Sequence, residues 1–509
     1  MKQLINKILI FLLVLLSGLL LLLVIKGDLD GSHLVYQSAI NPKVGGPFES
    51  TNSTSRYLLT QAIVENRTFF LTKDQARASA PDVVYHQEKF FSIFTPGVSF
   101  LAIPFYMLGK VFGVPQLVGF LSVTVFAVLN AFLVAVVAKR LGAPKYPALL
   151  SGLIFLFATN GLSYSLTMTQ HHMTVTVLLL AILLTLSKKS FVHALTFGVL
   201  CGVGLLVDIP NVFFLLPVGI VYLIQHIGIE TVASKIKVSF NTVVFAVLIG
   251  IFPFLALFAW YNVETAGSPT RIAQSIGQTR FFDSAEEKKL KRVDENTKTL
   301  TQAELVPFKT RNELNSLYIL FLSNERAWIF YSPVVLLGFV GLFLAYRRNE
   351  TRTAAFLLVS VIAMNVTVYA MFGDPWGGWS FGPRYLIPSA ALASSGIGYV
   401  LWRLRKNIVF MTGFILVLLY SIAVSLLGAL TTNAIPPKVE AINLPDPIPY
   451  TFDYNLKLLD VSQLSSLVYN SFFANVSGGG NYFLIVFAIA VLLFAVPLTG
   501  MYFLREEKK

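Results

Sequence analysis

Apolar stretches long enough to cross a membrane recur along this whole chain, and they constrain its fold more than any other feature. The first, from Leu4 to Ile25, is long enough to span a hydrocarbon core of about 30 Å as a helix. The sequence therefore predicts an all-α polytopic membrane protein with about twelve transmembrane helices. The later stretches begin near Val114, Tyr146, His172, Phe191, Val212, Phe240, Trp328, Ala354, Tyr385, Ile408 and Tyr482.

Composition and charge fit a membrane protein. Of the 509 residues, 55% are hydrophobic and 13% are charged, whereas a soluble domain has about 25% charged residues. We therefore treat residues 1–509 as a single transmembrane domain. The net charge of +13 comes mainly from short Lys and Arg clusters at the ends of the apolar stretches. Such clusters meet the headgroups of membrane lipids, so the basic balance does not indicate a nucleic-acid partner.

The positions of these clusters predict the topology. The segment from Phe94 to Phe112 is apolar but carries two prolines and is barely long enough to cross. If it stays at the outer boundary, the clusters fall on the cytoplasmic side, as the positive-inside rule requires. We therefore expect a multi-pass protein of the cell membrane with both termini in the cytoplasm. The clusters are Lys139/Arg140/Lys145, Lys188/Lys189, Lys235/Lys237, Arg347/Arg348/Arg352, Arg403/Arg405/Lys406 and Arg505/Lys508/Lys509.

Six segments of unusual polar sequence fall on the extracytoplasmic side in this topology. They are the first loop (27–95), the end of the third crossing (167–172), the turn 208–211, a second large loop (262–327), a motif between two crossings (373–385) and the last loop (432–481). The mixed charges from Ser284 to Glu304 in the second loop are typical of a solvated surface. The cytoplasmic loops are short and basic, so any chemistry is expected at the outer membrane boundary.

The sequence carries no signature of a soluble enzyme. It has no P-loop, no dinucleotide-binding glycine motif, no nucleophile elbow and no zinc-protease motif. His171 and His172 are adjacent, so on a helix their side chains point about 100° apart, which is poor for shared metal ligation. We expect His171 either to contact a substrate or to be a polar residue at the interfacial end of a helix.

The first outer loop is predicted to contain a surface helix. Residues 52–65 have the pattern of a capped helix, with Ser53 or Ser55 as the cap and an apolar face that includes Leu58 and Ala62. Such a helix is expected to lie flat on the membrane.

The same loop supplies candidates for phosphate binding and proton transfer. Arg56 and Lys89 can bind a phosphate at headgroup level, Arg56 through a bidentate fork. Asp82, Glu88 or Glu49 can accept a proton from an acceptor hydroxyl. The alternative for each of these residues is a structural ion pair at the interface.

The motif from Gly373 to Tyr385 is the densest signal in the chain. Its glycines and prolines exclude a plain helix. Irregular backbone at membrane depth needs protein or a water-filled cavity around it. Trp376 and Trp379 offer flat faces suited to sugar rings or to the interfacial belt. Asp374 and Arg384 bracket the turn, and a charge at the start of a crossing is costly unless it is paired or functional.

At these residues the chain resembles the GT-C glycosyltransferase superfamily, which includes protein O-mannosyltransferases and the lipid-A aminoarabinose transferase. The layout of one helix, a long outer loop with surface helices and many further crossings is also similar. The resembling motifs are N-x-x-S-R-Y (Asn52 to Tyr57), D-x-x-Y followed by F-S-x-x-x-P-G (Asp82 to Gly97), Y-S-P (Tyr331 to Pro333) and W-G-G-W-S-F-G-P-R-Y (Trp376 to Tyr385).

The resemblance implies sugar transfer from a polyprenyl-phosphate donor to a glycan, lipid or protein acceptor at the extracytoplasmic face. The family places an acidic pair just before the Arg-Tyr of the first loop, and this chain has Ser53 and Thr54 there. The catalytic base is therefore expected to be Asp82, with Glu49 or the Asp28/Asp30 pair as alternatives. The remaining roles are phosphate binding for Arg56, Lys89 and Arg384, and sugar or acceptor binding for Trp376, Trp379, Asp374, Tyr57 and His171.

Two other classes of function compete with this interpretation. A transporter or flippase of lipid-linked glycans would also have about twelve crossings, but it predicts charges and broken helices near the bilayer midplane rather than at the outer boundary. A catalytically inactive relative is the other alternative, because the acidic pair is missing. No motif requires a cofactor or a metal site, and a divalent metal stays open.

Overall fold

A computed structural model describes residues 2–27, 44–187, 190–232, 235–240, 245–281 and 313–503. The Asp28/Asp30 pair, the stretch from Ser284 to Glu304 and two of the basic clusters lie outside the described residues.

The described chain is helical apart from two short hairpins. Strands β1 (Val83–His86) and β2 (Lys89–Ser92) pair antiparallel, as do β3 (Ile227–Val232) and β4 (Lys235–Phe240). In chain order the helices are α1 (Lys2–Val24), α2 (Thr51–Asn66), α3 (Lys73–Ser79), α4 (Gly97–Val111), α5 (Pro115–Arg140), α6 (Lys145–Phe157), α7 (Gly161–Ser165), α8 (His171–Thr185), α9 (Phe191–Val207), α10 (Asn211–Ile224), α11 (Phe245–Ala266), α12 (Glu313–Phe321), α13 (Trp328–Tyr331), α14 (Leu336–Tyr346), α15 (Arg352–Met371), α16 (Ile387–Leu404), α17 (Ile408–Leu430), α18 (Lys438–Ile442), α19 (Asp453–Asp460) and α20 (Gly479–Phe503).

The helices confirm a polytopic membrane protein. Seven of those described (α1, α5, α11, α15, α16, α17 and α20) are long and apolar enough to cross a membrane, and six shorter apolar helices accompany them (α4, α6, α8, α9, α10 and α14). Large apolar side chains such as Phe132, Phe252 and Phe503 are exposed on the outside of the bundle. A bilayer is the environment in which such a surface is stable, because lipid replaces water there.

The loops that the sequence assigns to one side do meet at one end of the bundle. Lys26, just after α1, forms an ion pair with Glu49 of the first loop, and Glu49 also accepts hydrogen bonds from Thr432 and Asn433 of the last loop. Arg326 of the second loop donates to Ile435. We call this end, which carries residues 44–95, 323–327, 373–385 and 431–466, the loop face.

Helix α4 begins and ends at the loop face. Gly97 at its start lies against Leu206 and Val207, at the end of α9. Just beyond its end, Gln116 contacts Gly27, which follows the loop-face end of α1. A helix whose two ends lie at one face does not cross the bundle. Besides α4, twelve long or shorter apolar helices are present in the described part of the chain, and the position of Phe94 to Phe112 at the membrane boundary stays a prediction.

Three local predictions need correction. Helix α2 forms where predicted, but residues 52–62 are buried by other parts of the protein rather than lying flat on a membrane. Its cap is Ser50, which makes no side-chain cap hydrogen bond, whereas Ser53 and Ser55 lie inside the helix and Ser55 donates to the Asp82 carbonyl. The stretches at Phe240 and Trp328 also start later, as α11 and α14. Pro333, which lacks an N–H, separates α14 from the single turn of α13.

Candidate active site

Arg56 is a fully buried cation on α2. Its Nη2 donates to Gln170 Oε1 at 2.9 Å, and its Nη1 donates to the side chain of Asn52. The ring of Phe94 lies under the guanidinium, 3.8 Å from the central carbon to the ring centroid. The Nε atom has no hydrogen-bond partner. Burial lowers the pKa of Arg56 to about 10, so the group stays charged at neutral pH.

Asp82 lies beside Arg56 at the start of the hairpin that follows α3. Thr51 Oγ1 donates to its Oδ2 at 2.8 Å, and Ser55 on α2 holds its carbonyl at 2.7 Å. Burial raises the pKa of the Asp82 carboxyl, and the positive charges of Arg384 and Arg56 oppose that rise. A carboxylate with a raised pKa is a stronger proton acceptor than an ordinary one.

Asp208 is a second carboxylate of the same site, and the sequence analysis did not select it. It occupies the turn between α9 and α10, which the sequence predicts to be a polar segment of the outer face but to which it assigns no role. Burial raises its pKa from the ordinary 3.8 to about 6, opposed by the charge of Arg56, a hydrogen bond from the Gln170 side chain and the charge of Arg384. Asp208 therefore shares the electrostatic environment of Asp82.

Arg384 brings the distant tryptophan motif to this site. Its charge acts on Arg56, Asp82 and Asp208, which come from three other segments. Its Nε atom is buried and has no hydrogen-bond partner, and its guanidinium carbon lies 5.4 Å from the ring centroid of Tyr385. Like Arg56, it forms no ion pair with a carboxylate in the described part of the chain.

The absence of a side chain at Gly377 leaves space for the side chain of Arg384. A Cβ on Gly377 would lie 2.7 Å from Arg384 Nε, and Gly377 has a φ of +72° that favours glycine. Tyr385 stacks on Tyr369 of α15 with centroids 4.1 Å apart and planes 4° apart. The irregular loop and the stacked ring together fix the position of the arginine.

Two neighbouring charged residues, Glu325 and Arg326, hold the rest of the motif through hydrogen bonds. Arg326, with no exposed surface, donates to the carbonyls of Trp376, Gly378 and Ile435. Neighbouring Glu325 accepts from the indole of Trp376 at 2.8 Å. Hydrogen bonds between charged side chains and backbone are among the stronger ones, so they hold this non-helical backbone in one conformation.

The aromatic and acidic candidates of the motif have partners of their own. Asp374 accepts from the backbone N–H of Gly378 at 2.7 Å, so it shapes the turn. Trp376 is half-buried and bonded to Glu325. Trp379 is 42% exposed and donates its indole N–H to Glu440 at 2.6 Å. Trp379 is thus exposed at the surface, while Trp376 is half-buried and held by Glu325.

Three other candidates have partners of their own, and a fourth is influenced by the charges of the two arginines. Glu49 is buried and accepts from Lys26, Thr432 and the backbone of the two loops. Lys89 is exposed at the tip of the hairpin, above the ring of Phe70. Tyr57 is fully buried among the rings of Phe48, Tyr106 and Phe120. His171 is the fourth, because it lies within electrostatic range of Arg384 and Arg56 and contacts Tyr164.

Together these residues can bind an anion and accept a proton. Two buried guanidinium groups with no carboxylate directly paired to them offer free N–H donors, and a buried charge without a partner is unfavourable until an anion supplies one. Asp82 and Asp208 balance their charge from a distance. Among the described residues no group of three or more His, Cys, Asp or Glu side chains could hold a metal ion.

Comparisons with known proteins found similarity only in three dimensions. No protein-family model and no curated protein sequence matches the chain. The chain is similar to ArnT from Cupriavidus metallidurans in the apo state (12% identity, TM-score 0.48, 96% of this chain and 76% of that one). It is similar to the same protein bound to undecaprenyl phosphate (13%, TM-score 0.46, 96% and 76%). It is also similar to the Archaeoglobus fulgidus oligosaccharyltransferase in complex with Zn and sulfate (14%, TM-score 0.38, 81% and 55%). Similarity this distant concerns the fold alone.

Proposed function

We propose that the protein is a membrane glycosyltransferase that moves a sugar from a polyprenyl-phosphate donor to an acceptor at the extracytoplasmic face. The observation that carries the proposal is the meeting of Arg56 and Arg384, buried and free of direct ion pairs, beside the carboxylate of Asp82. The motif resemblance of the chain supports the same class of reaction.

The arginines suit the phosphate of the donor. A lipid phosphate that carries a sugar is a diester with one negative charge, and the two guanidinium groups present N–H donors that match its oxygens. As the sugar–phosphate bond breaks, negative charge grows on the leaving phosphate. Fixed donors that stabilise this charge lower the barrier to transfer.

Asp82 suits the acceptor side of the reaction. Its Oδ1 accepts no hydrogen bond from a described residue, while Thr51 holds Oδ2. A carboxylate fixed through one oxygen leaves the other free to take the proton of an acceptor hydroxyl. The apolar helices around the site suit a lipid-linked donor, whose headgroup lies at the membrane boundary.

Replacing Asp82 tests the proposal. We expect Asp82→Asn to lower the rate of polyprenyl phosphate release by about 10²- to 10⁴-fold, since general-base catalysis typically contributes that much. The measurement is release of polyprenyl phosphate by the purified full-length protein from a panel of polyprenyl-phosphate sugars, with host extract as the acceptor source. Asp74→Asn, which changes an exposed aspartate on α3, is the matched control and should keep the wild-type rate.

Two results would contradict the proposal in different ways. Full activity in Asp82→Asn would reject the role of this residue but not the transferase. Failure of the folded wild type to release lipid phosphate from any donor would reject the transferase and favour a transporter or an inactive relative.

A further inference from the structure

We propose that Arg326, supported by its neighbour Glu325, is a positioning residue that places Arg384 for the donor phosphate, acting through the backbone around Gly377. The inference rests on the proposed function, because it gives Arg326 a part in donor binding. Arg326 lies in the second outer loop, just before α13, and no motif of the sequence selects it.

The first step concerns the two peptide groups that flank Gly377. The Nε atom of Arg326 donates to the carbonyl of Trp376 at 3.2 Å, and its Nη2 atom donates to the carbonyl of Gly378 at 3.3 Å. These carbonyls belong to the residues on either side of Gly377. A guanidinium is planar and carries its donors in a rigid fork, so one side chain holds the backbone on both sides of this glycine.

The second step leads from Gly377 to Arg384. A Cβ on Gly377 would lie 2.7 Å from Arg384 Nε and 3.3 Å from Arg384 Cγ, so the backbone of the glycine lies directly against the arginine side chain. The Nε atom of Arg384 has no hydrogen-bond partner. Contact with this backbone therefore helps to set where the side chain lies, and a shift of residues 376–378 would move the surface against which Arg384 packs.

The third step concerns the placement of Arg326 itself. Its Nη2 atom also donates to the carbonyl of Ile435 in the last loop at 2.8 Å, and its Nη1 atom donates to the carbonyl of Glu325 at 2.8 Å. Every nitrogen of this buried guanidinium thus donates to a backbone carbonyl. Arg326 therefore serves the protein backbone, whereas Arg384 has a buried Nε without a partner.

The fourth step concerns the side chain of Glu325. Its Oε2 atom accepts from the indole N–H of Trp376 at 2.8 Å and from the backbone N–H of Lys438 at 2.9 Å. The two neighbouring residues thus tie the tryptophan motif to the last loop, one through an indole and the other through carbonyls. This double connection holds the backbone at Gly377 relative to two other segments of the loop face.

A double-variant cycle tests whether Arg326 acts through Arg384. Arg326→Lys keeps the charge but replaces the planar group by a single ammonium, which cannot hold both carbonyls beside Gly377 in the same geometry. We expect it to raise the Kd for undecaprenyl phosphate by about 10-fold, since one hydrogen bond from a charged group such as Arg384 contributes that much. In an Arg384→Ala background the same change should raise the Kd by less than about twofold, because nothing is left to position.

The control for the cycle is Arg271→Lys, which changes an exposed arginine of the same loop and should keep the wild-type Kd. The thermal unfolding temperature of each full-length variant reports damage to the fold. The dependence of the Kd change on Arg384 reports positioning, which a merely structural role would not produce.

Two adjacent glycines test the contact with Arg384 if Arg326→Lys does not fold. Gly377 and Gly378 have φ values of +72° and +61°, so an alanine at either position is strained. A Cβ at Gly377 meets Arg384 Nε, whereas a Cβ at Gly378 meets nothing within 4 Å. We expect Gly377→Ala to raise the Kd by about 10-fold and Gly378→Ala by less than about threefold, although both lower the unfolding temperature.

Glu325 offers a rescue by a conservative variant. Glu325→Gln still presents an oxygen to the indole of Trp376 and to the N–H of Lys438, so it should keep the Kd within about threefold of wild type. Glu325→Ala presents none and should raise the Kd as Arg326→Lys does. Equal losses in the two Glu325 variants would overturn the part of Glu325 in this arrangement.

Three results would overturn the role of Arg326. They are additive effects of Arg326→Lys and Arg384→Ala on the Kd, equal Kd values in the two alanine variants, and a lower unfolding temperature of Arg326→Lys with an unchanged Kd.

Failure of the proposed function is a separate result. A folded wild type that neither binds undecaprenyl phosphate nor releases it from any donor overturns the transferase, and the role of Arg326 falls with it. A wild type that does both, with additive effects in the cycle, overturns the role of Arg326 alone.

Discussion

The two buried arginines are the residues whose placement most needs a physical reason. Removing a guanidinium from water costs several kcal/mol even after the protein relaxes, and a direct carboxylate partner usually offsets this. Arg56 instead has two amides and a phenylalanine ring, and Arg384 has a tyrosine. Asp82 and Asp208 supply only through-space attraction. In the folded protein the two guanidinium groups therefore carry positive charge without a directly bonded carboxylate, which favours binding of an anion.

Burial of the Asp208 carboxylate lowers the free energy of unfolding when the group is ionised. Its pKa is about 6 in the folded protein against an ordinary 3.8, so the folded state holds the proton more tightly than the unfolded chain. Stability consequently falls as pH rises through the window between about 4 and about 6, and the loss persists above it.

We expect Asp208→Asn to stabilise the protein at neutral pH. The gain should be on the order of 1 to 3 kcal/mol above pH 6 and vanish below pH 4, since a pKa unit corresponds to about 1.4 kcal/mol. Unfolding temperatures of both proteins measured from pH 4 to pH 8 check this. A variant that is less stable than wild type at pH 7 would show that ionised Asp208 is net stabilising.

At this scale the sequence predicts some site residues and not others. Arg56, Asp82 and Arg384 belong to recognisable motifs, and the structure brings them together. Asp208 lies in a short turn between two apolar helices, and its place near the charges of Arg56 and Arg384 depends on the packing of distant segments, which no local pattern encodes. The environment of Glu49 likewise depends on residues of the last loop, and the roles of Trp376, Trp379 and Asp374 stay predictions.

Among the elements, α4 connects the first loop to the bundle. Its first residue, Gly97, packs so closely on the end of α9 that a Cβ would lie 2.4 Å from the carbonyl atoms of Leu206. The sequence predicts that this segment stays at the boundary, from its prolines and its length. It does not predict that the segment's start touches the turn that carries Asp208, because that contact joins residues far apart in the chain.

We expect Gly97→Ala to lower stability by about 1 to 3 kcal/mol, because backbone must move to admit the methyl group. It should also raise the donor KM, since α4 and the Asp208 turn are pushed apart. Thermal unfolding and donor kinetics measure the two effects. Gly413→Ala on α17, where a Cβ meets nothing within 4 Å, is the control and should be neutral or slightly stabilising. Equal behaviour of the two variants would contradict the close packing at α4.

For the whole molecule, the positions of the charged clusters along the sequence are the best predictor of which polar segments share a face. The basic clusters assign every polar segment to one side, and the hydrogen bonds among residues 26, 49, 326 and 432–435 place those segments at one face. Helix boundaries are predicted less well. The break between α13 and α14 lies inside apolar sequence, where it leaves little trace in hydropathy, and the hairpin of β3 and β4 lies in a segment of mixed polarity.

Cysteine labelling tests which face is outside. Val476 is exposed beside the loop face, just before α20, and Glu350 is exposed at the opposite end, between α14 and α15. In a Cys201→Ser background we expect Val476→Cys to react with a membrane-impermeant maleimide in intact cells, and Glu350→Cys only after permeabilisation. The reverse pattern would invert the topology. Ser380 is a poor labelling site because it is fully buried.

The bond network of Glu49 has a consequence for biosynthesis. Its partner Thr432 lies 383 residues further along the chain. During synthesis Lys26 and Gly45 are made before the glutamate, whereas Thr432 and Asn433 are made only after most of the described helices. Until the last loop is made, Glu49 therefore lacks the hydrogen bonds from Thr432 and Asn433, and the packing of the first loop is incomplete while most of the helices insert. Its final packing depends on the last loop, so a chain terminated before Thr432 would lack these hydrogen bonds even though the first loop had been made in full.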